Sequence, residues 1–163
     1  CEYWWFSQLQ VRRRWISKQI DHYYLFGWER GDPHSHLVYS LKKGGSLRAF
    51  QKCSLFFNHF PRKGTVYFPK GTTEDHGFEW AKSLCRGNEK RLCAIEKVGS
   101  QKQSFLSRED RKKRSFKPHK CGLKHPHFAD DIVTSGGTAL GCWRALGQPP
   151  RMTVWSLFYR NRL

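Results

Sequence analysis

Apolar positions in this chain come in short runs whose period changes along the sequence. Tyr3-Trp4-Trp5-Phe6 is a dense aromatic patch. From Gln8 to Gln19 the apolar Leu9, Val11, Trp15 and Ile16 predict a short helix. His22 to Glu29 is rich in aromatics and predicts a strand. Arg30-Gly31-Asp32-Pro33 has turn chemistry, and His36 to Leu41 reads as a second strand, so residues 22–41 predict a hairpin.

Lys42-Lys43-Gly44-Gly45 interrupts that pattern. Ser46 fits the N-cap of a helix carrying Leu47, Phe50, Cys53 and Phe57, which must end before Pro61. Thr65 to Pro69 predicts a short strand. Thr73, with Glu74 and Asp75 in the first turn, predicts a second helix whose apolar face is Phe78, Ala81, Leu84 and Cys85 and whose stop is Gly87. Arg91 to Val98 predicts another strand. Apolar residues then thin out to Phe105, Leu106, Phe116 and Leu123. Thr134 to Gly141 is small and Gly-rich, Gln148-Pro149-Pro150 is a breaker, and Thr153 to Tyr159 is a short aromatic element. The pattern predicts an α+β class with basic, partly extended segments: a small mixed domain over 1–98, a basic segment over 99–127 and a C-terminal tail over 128–163.

Charge changes this picture most. Thirty Lys and Arg stand against thirteen Asp and Glu in 163 residues, a net charge of +17, with seven Trp, six Tyr and twelve Phe among them. Such an excess disfavours the compact state, and a polyanionic partner is its usual reason. Between Lys97 and Lys124 ten Lys or Arg face only Glu109 and Asp110, a local net of +8. A merely solvated face would carry both signs, so this run predicts a segment ordered by its partner. Arg and Lys neutralise phosphates, and aromatics stack on unpaired bases. The nucleic-acid contacts expected on this basis are Arg12, Arg13, Arg14, Arg108, Arg111, Lys112, Lys113, Arg114, Lys117, Lys120, Lys124, Arg160 and Arg162.

No apolar stretch approaches the ~20 residues a membrane span requires, and no signal-peptide pattern is visible. A chain that begins at Cys1 and has Met152 as its sole methionine reads as a processed product or an incomplete record. The six cysteines lack a tight framework and read as free thiols of a reducing compartment. No cofactor is expected. A zinc site drawing on Cys85, Cys93, Cys121 and His125 or His127, close to His119, is geometrically conceivable. Gly44-Gly45 and Gly136-Gly137 read as turns, and no P-loop or dinucleotide fingerprint is present.

Trp28 to Val38, with Glu29, His34 and His36, resembles the metal-binding motif of HUH-type replication-initiator nucleases. The resemblance implies a metal group of Glu29, His34 and His36, a nucleophile at Tyr67 with Lys70 three residues on, and nicking of single-stranded DNA. The shortage of acids argues against most hydrolase and metal-nuclease sites, so a non-enzymatic role is the primary expectation. That role is a structural RNA-binding subunit of a large ribonucleoprotein, with an organellar (mitochondrial) ribosome fitting best. Its partners would be rRNA and neighbouring proteins, and its location the organellar matrix. A basic accessory subunit of another large organellar complex is the third alternative.

Overall fold

The computed structural model describes residues 10–28, 53–70, 76–98 and 116–160. Within them the strands are β1 (Arg12–Ser17), β2 (Ile20–Trp28), β3 (Val66–Pro69), β4 (Leu92–Ile95), β5 (His127–Ala129), β6 (Ile132–Val133) and β7 (Met152–Arg160). The helices are α1 (His76–Leu84) and α2 (Gly137–Ala145). One seven-stranded sheet runs β1-β2-β7-β5-β3-β4, with β6 also paired to β7. The result is a small mixed domain, compatible with the α+β expectation. Among the described residues the β1–β2 ladder is antiparallel, and every other ladder is parallel.

The helix expected over Gln8–Gln19 is instead strand β1. Its Arg13 and Arg14 lie opposite Tyr23 and His22 of β2. Arg13 donates to Asp21 at 3.0 Å and its guanidinium lies 5.0 Å from the Trp15 ring centre. These cross-strand contacts outweigh a weak helical spacing. The first strand of the expected hairpin exists as β2, while residues 29–41 lie outside the described set. The helix expected from Ser46 falls partly outside it too, and its described end is a single 3₁₀ turn over 53–56.

The helix expected after Thr73 is α1, with Ala81, Leu84 and Cys85 buried as foreseen and Trp80 buried beside them. Gly87 closes it, at φ 79°, with its amide on the Lys82 carbonyl at 2.9 Å. Thr153–Tyr159 lies within β7, which pairs with β2 on one side and with β5 and β6 on the other. That setting, buried on both faces, explains its mostly apolar run, interrupted only by the buried Thr153 and Ser156.

Successive strand residues point to opposite faces, and the core divides accordingly. Val66, Phe68, Ala129, Trp155 and Leu157 pack with Phe56, Trp80, Ala81 and Leu84. Tyr67, Ile95, Phe128, Met152 and Val154 pack with Ala139, Cys142 and Ala145. Helices α1 and α2 therefore cover opposite faces. Among the described residues no helix is long and apolar enough to cross a membrane.

Candidate phosphate loop at the carboxyl edge

Parallel strands place their carboxyl ends on one edge of the sheet. The chain leaves β3 to form α1 on one face, and leaves β5–β6 to form α2 on the other. Strands β3 and β5 are neighbours, in the register Val66↔His127 and Tyr67↔Phe128. The crevice between divergent crossovers at the carboxyl edge is where open parallel sheets bind ligands.

Asp130 and Asp131 follow β5 at this edge and separate it from β6 along one flank of β7. Asp130 is buried, and its amide donates to the Trp155 carbonyl at 3.1 Å. The Asp131 carbonyl accepts from Leu157 and Phe158 at 3.2 and 3.1 Å, so the backbone of the acidic pair is pinned to the central strand. Thr134-Ser135-Gly136-Gly137-Thr138 follows and opens α2.

Gly136 is the N-cap, at φ 77° and ψ 5°, and no side chain caps the helix or places an acid in its first turn. An ideal Cβ on Gly136 would stand 2.6 Å from Cγ2 of Ile16. Glycine there meets both the left-handed backbone and the close approach of β1. Helix α2 can pack closely because its buried residues are small: Ala139, Gly141, Cys142 and Ala145. Its first amides give the helix start a partial positive charge. Lys70, just past β3, adds a cation at the same edge and pairs with Glu96 at 3.6 Å.

Gly136-Gly137, expected as a turn, is a bend at Gly136 that passes into α2 at Gly137. The signal of this loop in the sequence is a short apolar strand, two acids, a β-branched pair, then hydroxyl and glycine residues before a helix. No standard phosphate-loop spacing marks it.

The residues expected to contact nucleic acid do not converge among the described ones. Arg12, Arg13 and Arg14 lie on edge strand β1, where the Arg14 guanidinium is 3.9 Å from the Tyr159 ring centre. Lys117 is beyond the opposite edge, paired with Glu96 next to β4. Lys120 and Lys124 are exposed, and Arg160 ends β7. Arg108, Arg111, Lys112, Lys113, Arg114 and Arg162 lie outside the described residues, as do Glu29, His34 and His36.

Tyr67 is 5% exposed on β3, and its hydroxyl donates to the Cys121 sulfur at 3.4 Å. Burial raises its pKa further above the ordinary value, which works against ionisation for attack. The conceivable zinc ligands are also kept apart. Cys85 packs under α1, whereas Cys93 and Cys121 lie on the α2 face, with Cys93 3.4 Å from His119 Nε2. His125 Nε2 is 2.7 Å from the Thr153 hydroxyl, and the His127 Nδ1 accepts from Trp155 Nε1 at 3.2 Å. Among the described residues no three His, Cys, Asp or Glu side chains could hold a metal ion together.

No protein-family model matches the chain, and no curated protein matches it either.

Proposed function

We propose that the chain binds a ribose phosphate, as a sugar phosphate or as part of a nucleotide, at the carboxyl edge of its parallel sheet. The observation that carries this reading is the connection from β5–β6 to α2. It carries the acidic pair Asp130-Asp131, of which Asp130 is buried, then a loop of hydroxyl and glycine residues, then a helix start without a side-chain cap. The loop amides and the Thr134 and Ser135 hydroxyls are donors for phosphate oxygens, and the helix end favours the negative charge. Asp131 is an acceptor for a sugar hydroxyl.

Calorimetric titration with ribose 5-phosphate, ribose, inorganic phosphate and a single-stranded RNA tests this. Ribose 5-phosphate should bind more tightly than ribose or phosphate alone. Asp131→Asn should weaken it by about tenfold or more, because a charged hydrogen-bond acceptor is lost, while the unfolding temperature stays unchanged. Equal binding of ribose 5-phosphate and inorganic phosphate would overturn the reading.

The net charge of +17 favours a second reading, the structural RNA-binding subunit of a large ribonucleoprotein such as an organellar ribosome. There Lys and Arg neutralise phosphates, and affinity falls steeply with salt. RNA binding that Asp131→Asn leaves untouched, without any ribose 5-phosphate preference, would favour it.

A further inference from the structure

The carboxyl end of α1 carries a separate feature that the edge site does not use. A cavity of about 160 Å³ opens there, walled by Phe57 and Phe60 and bordered by Arg62, Arg86, Asn88 and Arg91. No Asp or Glu lines it. The volume resembles that of an engineered void that holds benzene, so it takes one small group and not a whole cofactor.

Its three arginines have different situations. Arg91 is engaged with the protein. Its Nε donates to the Gly64 carbonyl at 2.8 Å, and its Nη2 to the Pro61 and Lys63 carbonyls at 2.8 and 3.1 Å. These bonds fix the loop that carries Arg62. The Arg86 guanidinium is held 4.1 Å from the Phe57 ring centre. Neither Arg62 nor Arg86 has a carboxylate or hydrogen-bond partner for its guanidinium among the described residues.

Arg86 also has the wrong backbone for its type. Its φ is 54°, and Gly87 follows at φ 79°. A left-handed residue at a helix end favours glycine, and a long side chain there carries strain. The helix stop requires the conformation, not a guanidinium. An arginine at this position keeps a cation at the mouth of the cavity against backbone preference.

We propose that this cavity is a binding site for a phosphomonoester group, held by Arg62 and Arg86 with the Asn88 amide as a further donor. Two guanidiniums match a dianion, and their planar forks suit phosphate oxygens. A backbone phosphodiester brings one charge and two substituents, which suits neither the charge nor the space.

The test is an amide-resolved NMR titration of the full chain with inorganic phosphate at constant ionic strength. Shifts of Arg86, Gly87 and Asn88 report this cavity, and shifts of 134–138 report the edge site, so failure of one is distinct from failure of the other. The wild type should show saturable shifts at 86–88. Arg86→Gly should fold with an equal or higher unfolding temperature, since it relieves the positive φ, and should bind at least tenfold more weakly. Arg62→Gln should weaken binding similarly, and Lys120→Gln should not change it. A parallel titration compares an RNA oligomer bearing a 5′-phosphate with the same oligomer ending in a hydroxyl. Response to the phosphorylated end identifies a chain terminus as a source, and response to inorganic phosphate alone identifies a free anion. The proposal fails if Arg86→Gly binds within twofold of the wild type, if the wild type shows no saturable shift at 86–88, or if the hydroxyl-ended oligomer acts equally.

Discussion

Helices α1 and α2 are each nine residues long and cover opposite faces of one sheet, yet they are built differently. Helix α1 is anchored by bulk. Trp80 is fully buried, meets Phe56 edge-on and donates Nε1 to the Trp155 carbonyl at 2.9 Å. Trp155 in turn stacks on Tyr23 with ring centres 4.7 Å apart. Helix α2 is anchored by the absence of bulk, with Ala139, Gly141, Cys142 and Ala145 as its buried residues. The large-residue face gains stability from area and ring contacts. The small-residue face brings the start of α2 close to the sheet, against Ile16 of β1. One face gains mainly from the burial of large rings, and the other from the close approach of small residues.

The largest expected effect breaks the α1 face. Trp80→Ala should destabilise the domain by about 3–5 kcal/mol, the usual cost of emptying an aromatic core site. Chemical denaturation measures it, and a loss below about 1 kcal/mol would mean that α1 is not the main anchor.

Acid should strain both faces through one shielded histidine each, His22 fully buried and His127 half-buried. Under α1, burial and His125 lower the His127 pKa to about 4, and its Nδ1 accepts the Trp155 indole proton. Toward α2, burial and Arg14 lower the His22 pKa to about 3, with the Ser156 hydroxyl 2.7 Å from its Nε2. Both imidazoles are neutral when folded and titrate near pH 6.5 when unfolded, so the unfolded state binds more protons below that pH. Stability should be full above about pH 6.5 and fall by roughly 2 kcal/mol per histidine by about pH 5. His22→Gln and His127→Gln, compared with the wild type across this window, separate the two. A flat profile above pH 5 would contradict the shielded neutral state of both rings.

A smaller effect sharpens the α2 side. Gly136→Ala combines a left-handed φ with a Cβ 2.6 Å from Ile16 Cγ2. It should cost about 1–3 kcal/mol. Adding Ile16→Ala should recover part of the loss, because the clash term disappears while the φ strain remains. Strict additivity in that double-mutant cycle would show that β1 does not press on the loop.

Much of this was legible in the sequence, for local reasons. The aromatic run at His22–Glu29, the short strand before Pro69, the apolar face of α1 and its stop at Gly87 follow from period, glycine and proline. The net charge of +17 needs no structure at all. Other features rest on partners distant in sequence. Gln8–Gln19 has a helical spacing, yet pairing with β2 and the Arg13–Asp21 bond make its core a strand. Nothing local says that Thr153–Tyr159 lies between residues 20–28 and 127–129, because parallel pairing is a property of the whole topology.

The same holds for the site. Asp130, Asp131 and Gly136 are an unremarkable acidic pair and turn until two crossovers leave the sheet toward opposite faces. Likewise Arg62 and Arg86 are two charges among thirty until Arg91 fixes one loop and a left-handed backbone sets the other. The sequence by itself determined the local elements and the sign of the field. Tertiary structure alone decided which of those charges, amides and acids share a cavity, since that depends on strand order and crossover direction, which no local residue pattern encodes.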